Sequence, residues 1–197
     1  MRLPILFSIA LSLGAQTLLY EIKPGPPGSR FALEIYKTGL MSGKKHLFLF
    51  ERFEGALYYD AASPETSRMD LLVETASFQV KDDWVSAKQA KEIRAEAEGK
   101  DGLEVAKYPG IRFVSTSISR AGDGFSVQGM LAIRGMEKPA TVHVTMKPGE
   151  GGTLRFEGKA EVKLKDYGIK PPTAALGAIG TRNEMDVSFT LTGTPRR

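Results

Sequence analysis

From Leu154 to Leu164 an apolar or small side chain stands at every second position, with Arg155, Glu157, Lys159, Glu161 and Lys163 between. An extended strand sends successive side chains to opposite faces, so this run has one dry face and one wet face. The pattern returns near the C-terminus, where Met185, Val187, Phe189 and Leu191 alternate with Asp186, Ser188, Thr190 and Thr192. It is looser over residues 125–134, with Phe125, Val127, Leu131 and Ile133 on one side. Residues 18–23, 30–37, 44–51, 55–60, 69–75, 111–117 and 140–147 are further strand candidates. Asp123-Gly124 supplies a hairpin signal, and turns are marked by Pro24 to Gly28 and Pro148 to Gly152. Many short strands joined by tight turns predict an all-β antiparallel barrel or sandwich. At 197 residues, with no linker or internal repeat, one domain is expected.

One segment breaks the alternation. Residues 83–99, rich in Ala, Lys, Glu and Arg, predict one short helix, capped by Asp82 or Asp83 and stopped at Gly99. Its apolar stripe (Trp84, Val85, Ile93) is thin, which suits a helix laid across the barrel's end or side. Ahead of the first strand, Arg2 precedes a mostly apolar run from Leu3 to Leu13 and then Gly14-Ala15. That is the layout of a secretory signal peptide cleaved near Gly14 or Ala15. It predicts residues 1–15 as signal, 16–197 as the domain, and a periplasmic or secreted protein. Ser8, Ser12, Gly14, Gln16 and Thr17 interrupt the run before the roughly 20 apolar residues of a spanning helix. With no cysteine, disulfides, thiolate metal sites and a cysteine nucleophile are excluded. A net charge of +4 is too small and scattered for a nucleic-acid footprint.

Four stretches, in order, resemble the YceI-like family of exported lipid-binding proteins. Phe50-Glu51-Arg52-Phe53-Glu54-Gly55 is similar to its F-x-x-F-x-G, and Lys107-Tyr108-Pro109-Gly110-Ile111-Arg112-Phe113 to its K-Y-P-x-I-x-F. Gly129 to Pro139 resembles G-x-L-x-I-R-G-x-x-K-P, and Asp166-Tyr167-Gly168-Ile169 resembles D-[FY]-G-I. Phe48 and Leu164 depart from the family's usual glycine and arginine, and the helix region lacks its usual histidine-containing stretch. The resemblance implies an eight-stranded lipocalin-like barrel around a long apolar channel, with a polyisoprenoid or other long-chain lipid as ligand. The strand candidates exceed eight, but residues 44–60 could form one bent strand with a bulge at Glu51-Arg52-Phe53.

The alternation itself nominates the inward side chains. Early in the chain these are Phe31, Leu33 and Ile35, then His46, Phe48 and Phe50, then Met69, Leu71 and Val73. Ile111 and Phe113 follow, then Val127, Leu131 and Ile133, then Val142 and Val144. Leu154, Phe156 and Val162, then Val187 and Phe189, complete the lining, with Gly129, Gly158 and Ala160 on the same face. Periodicity alone reads these as a filled core; the resemblance turns them into a lipid channel. In that reading Lys165, Tyr167 and Arg182 stand near the mouth, where a basic side chain could meet a head group. Residues 174–180 suggest a flap over it.

Catalysis finds little material. His46 and His143 have no carboxylate or serine at a recognised motif spacing, no G-x-S-x-G elbow occurs, and Gly149 to Gly152 lacks a phosphate loop's context. No enzyme, cofactor or metal is expected, and His143, between Val142 and Val144, should point outward. The leading function is an exported carrier or sequestering protein for a long apolar ligand. The alternative is a non-enzymatic cell-envelope interaction protein with a filled core. Lys37, Lys44, Lys45 and Arg52 could brush an anionic membrane, and pairing of two copies is the other association considered.

Overall fold

The computed structural model describes residues 17–25 and 29–196. The predicted signal segment and residues 26–28 of the turn after Pro24 lie outside them. Eleven strands form: β1 (Leu18–Ile22), β2 (Arg30–Gly39), β3 (Lys45–Phe50), β4 (Phe53–Tyr59), β5 (Arg68–Glu74), β6 (Phe78–Val80), β7 (Gly110–Ala121), β8 (Gly124–Ile133), β9 (Met136–Pro148), β10 (Leu154–Lys163) and β11 (Ile179–Pro195). Among the described residues a single α-helix, α1 (Ala87–Glu98), lies between β6 and β7.

The sheet order is β1-β4-β5-β7-β8-β9-β10-β11-β2-β3-β6, and β1 also pairs with β11. That extra pairing closes an eight-membered antiparallel ring from β1 round to β11. Closure comes from the length of β11: residues 179–190 pair with β2, whereas Gly193, Thr194 and Pro195 pair with β1. The surplus strands are therefore halves of broken staves. β1 with β2, β3 with β4, and β5 with β6 each make one stave, interrupted at a common level. The expected bulge in residues 44–60 is such a break, at Glu51-Arg52.

Two buried hydroxyls stitch the break level. The Arg52 amide donates to Ser77 Oγ at 3.2 Å, and that hydroxyl donates to the Glu74 carbonyl at 2.7 Å. Thr75 Oγ1 donates to the Tyr108 carbonyl at 2.6 Å. Each such bond contributes about 1 kcal/mol. On one side of this level the ring is complete. On the other, β6 pairs only with β3, so the barrel splays between β6 and β7.

The helix starts later than the sequence suggested, and neither aspartate caps it. Ser86 is the N-cap: its side chain accepts from the Gln89 amide, and Gln89 Oε1 accepts from the Ser86 amide in return. Asp82 is taken by β3 instead, accepting from the Leu47 amide at 2.7 Å and pairing with His46 Nδ1 at 2.5 Å. Trp84 and Val85 precede the helix, leaving its apolar stripe thinner still. Arg94 does the docking, donating to the carbonyls of Phe78 at 2.6 Å and Ala76 at 2.9 Å with its guanidinium over the Phe78 ring. One turn also differs in detail. Gly122-Asp123 are the central residues of the β7–β8 hairpin, and Gly124 closes it where a Cβ would come 2.4 Å from the Val144 carbonyl oxygen. Arg134 and Gly135, with φ of 51° and 71°, form the two-residue loop from β8 to β9, the backbone a primed hairpin turn requires.

Candidate ligand chambers

Inside the closed part of the barrel lies a chamber of about 150 Å³. Apart from Ser67 and Tyr59, every residue lining it is apolar. Sixteen of the 21 nominated side chains stand in its wall: Phe31, Leu33, Met69, Leu71, Val73, Ile111, Phe113, Val127, Leu131, Ile133, Val142, Val144, Phe156, Val162, Val187 and Phe189, with Ala160 beside them. The other five do not. Ile35, His46 and Phe48 lie past the stave breaks and line a second chamber. Phe50 is packed away against Phe31 at 5.9 Å and Phe78 at 5.8 Å between ring centroids. Leu154 is buried at the closed end, in register with Gly193.

Periodicity missed some of the wall for identifiable reasons. Ile118 comes inward because a register shift between Ser115 and Ser117 reverses the parity set by Ile111 and Phe113. Leu103 arrives from the loop after α1, where no alternation exists to read. Met185 and Leu191, by contrast, share the parity of Val187 and could have been named. The inward glycines are sockets rather than open space. A Cβ on Gly129 would lie 2.5 Å from Phe113 Cζ, and one on Gly158 would lie 2.1 Å from Phe189 Cζ. Their missing side chains let two phenyl rings cross the barrel's midsection.

The second chamber, about 520 Å³, lies at the splayed end. Its wall combines β2 and β3, α1, and residues 170–174, and it shares Leu33, Leu103 and Met185 with the inner chamber. Its lining is mixed: Lys37 and Thr181 on β2 and β11, Glu92 and Glu96 on α1, and Lys170 beside Asp101, whose carbonyl accepts from the Lys170 amide at 3.3 Å. Exposed residues such as Gln89, Lys170 and Thr173 belong to the wall, so it reaches the surface. His46 is fixed in it, with Trp84 stacked on one side at 5.3 Å and Phe48 at 6.2 Å between centroids. The Asp82 side chain that holds it is fully buried, while the Trp84 indole donates to the Lys45 carbonyl at 2.9 Å. Thr181 Oγ1 is buried without a hydrogen-bond partner among the described residues. Among the described residues no group of three or more His, Asp or Glu could hold a metal ion.

The nominated mouth residues line neither chamber. Tyr167 is buried, and burial pushes its hydroxyl pKa up. Lys165 is exposed, its amide donating to Asn183 Oδ1 at 2.9 Å. Arg182 lies on the outer wall, the face that alternation from Met185 and Val187 gives it, over the Tyr36 ring at 5.4 Å. The Tyr36 hydroxyl donates to Asp186 at 2.7 Å and to Glu34 at 3.1 Å, so its pKa is raised, first by Asp186. Two of the seven residues of the expected flap, Ile179 and Gly180, belong to β11. His143 is exposed, on the outer face.

Two of the resembling motifs meet at the splayed end. Arg134 donates to the Gly168 carbonyl, to the Lys100 carbonyl at 2.9 Å and to Glu104 at 3.2 Å. It thereby ties the segment Asp166 to Ile169 to the loop after α1.

Residues 25–192 match the family model described as YceI-like domain. The UPF0312 protein of Pseudomonas savastanoi pv. phaseolicola is 33% identical over 146 residues, covering 71% of this chain and 70% of that one. A UPF0312 protein of Yersinia pestis is 32% identical over 144 residues, covering 71% and 69%. Among solved structures, Burkholderia cenocepacia BcnA superposes with a TM-score of 0.66 at 23% identity, covering 83% of this chain and 96% of that one. A polyisoprenoid-binding domain from Saccharophagus degradans, implicated in plant cell wall breakdown, gives 0.58 at 12% identity, with coverages of 92% and 100%.

Proposed function

The chain belongs to the YceI-like domain family, and on that footing we propose that it is a non-enzymatic, exported lipid-binding protein that carries or sequesters a polyisoprenoid or similar long-chain ligand. One observation carries this reading: the apolar inner chamber adjoins the larger outer one, with Leu33, Leu103 and Met185 lining both. A cavity near 150 Å³ takes a guest about the size of one small ring. The inner chamber would therefore receive the branched tip of a chain and the outer chamber the units behind it. Burial supplies the affinity, at about 0.8 kcal/mol per methylene withdrawn from water. The polar end would then stand at the outer rim, beside Lys37, His46, Lys170 and Thr181, in place of Lys165, Tyr167 and Arg182. The layout of residues 1–15 supports export to the periplasm or beyond, and the named ligand of the Saccharophagus domain supports the ligand class.

The filled-barrel scaffold draws on a different observation, the Phe113 and Phe189 rings seated on Gly129 and Gly158. Organic extraction of the purified protein followed by mass spectrometry separates the two. Carriage predicts a long-chain lipid at near-stoichiometric amount, lost in a folded Phe113→Asp variant. A lipid-free extract, or an unchanged one from that variant, overturns the proposal.

A further inference from the structure

Leu40 and Leu176 are the most exposed large apolar side chains among the described residues, at 81% and full exposure; no other reaches half. They are far apart in sequence but sit on neighbouring loops. The Leu40 amide donates to the Ala178 carbonyl at 3.0 Å, and Gly39 is in register with Ile179. Contact there is so close that a Cβ on Gly39 would lie 2.1 Å from the Ala178 carbonyl oxygen. Ala175, Leu176 and Gly177 have φ of 50°, 54° and 91°, three consecutive left-handed residues, of which two carry side chains that disfavour it. The fold thus holds a strained loop that presents Leu176 wholly to the outside.

Position gives these tips a partner. Both loops border the outer chamber, which Met41, Ala174 and Ile179 help to line. Lys37 and Lys44 flank the first tip on its own hairpin, the Lys37 amide donating to the Lys44 carbonyl at 2.9 Å, and Lys44 lies over the Trp84 ring at 5.8 Å. The chamber's carboxylates, Glu92, Glu96 and Asp101, lie on α1 and the loop after it. Apolar side chains that project beside lysines match the interior and the charged face of an anionic bilayer. We propose that the Leu40 and Leu176 tips dock this protein on a bilayer containing anionic lipid, setting the rim of the outer chamber against the membrane. Docking stands on the tips alone; its use for loading the chambers rests on the lipid-carrier reading.

Vesicle flotation of the full chain tests it, with phosphatidylglycerol–phosphatidylcholine vesicles compared with phosphatidylcholine alone. Flotation is expected with the anionic vesicles and should fall as salt is raised. Leu40→Ser with Leu176→Ser should weaken it at least about tenfold, and Lys44→Gln about fivefold, with thermal melts unchanged. No flotation of the unaltered protein, or equal flotation of the double variant, overturns the proposal. So does a dimer, seen by sedimentation, that the double substitution dissolves: the tips would then cover a second copy. Extracted lipid is measured in parallel. Flotation with an empty extract defeats the carrier reading and leaves docking intact, whereas a loaded protein that ignores vesicles does the reverse.

Discussion

The two chambers adjoin, yet different forces wall them. The inner one is enclosed by ladder hydrogen bonds on every side, its lining is almost wholly apolar, and phenyl rings seated on Gly129 and Gly158 narrow its waist. The outer one is assembled from half-staves, a helix and loops, held by side chains reaching across: Asp82 to His46 and Leu47, Arg94 to Phe78 and Ala76, Arg134 to Gly168 and Lys100. Enclosure by a ladder fixes shape, because changing it means breaking several bonds at once. Enclosure by a few charged tethers leaves the larger volume free to change one contact at a time.

A charge placed in each wall tests that contrast most severely. Leu131→Arg puts an unpaired guanidinium into the inner chamber and should cost about 3 kcal/mol or more, read as a lowered denaturation midpoint with lipid lost from the extract. Next in size is the socket. Gly158→Ala should destabilise by about 1–3 kcal/mol through overpacking against Phe189, and much of that loss should vanish in a Phe189→Leu background. Additive costs in the double-mutant cycle would mean that the ring does not depend on the glycine.

Arg134→Ala probes the tethers. It should cost about 2 kcal/mol and raise amide exchange in residues 100–108 and 164–169, while β10 stays protected. Uniform loosening would merge the two regions into one cooperative unit. The smallest effect concerns the outer wall of the splayed half. Lys45, bonded to Glu34 at 2.8 Å, holds that carboxyl below its ordinary range, assisted by the Tyr36 hydroxyl. The folded form then binds the proton less readily than the unfolded chain. The gain is present above about pH 4.3 and fades as pH drops through the lowered value. Partial exposure keeps it near half a kcal/mol, and Lys45→Met should flatten that part of an acid titration.

The inner wall was readable from sequence because sheet parity is a local rule: once Phe156 points in, Gly158 and Ala160 must follow. The rule fails where the backbone slips, as at Ser115–Ser117, which turned Ile118 inward; Arg182 needed no slip, since alternation from Met185 already puts it outside. The outer chamber had no such code. Its residues come from several unconnected segments, and nothing in the order of Asp82, Trp84 and His46 announces that a carboxylate and an indole will clasp that imidazole. The motif residues Arg134 and Gly168, which alternation gave no role, brace the splayed end.

The far side of strand β6 has no partner strand among the described residues, and the Phe78 carbonyl there would ordinarily recruit an extended segment from another molecule. Arg94 occupies that carbonyl and its neighbour at Ala76. Lifting the helix would therefore bare an adhesive border before the rest of the barrel yields, and stress should push the protein toward fibrous self-association rather than toward a soluble unfolded chain.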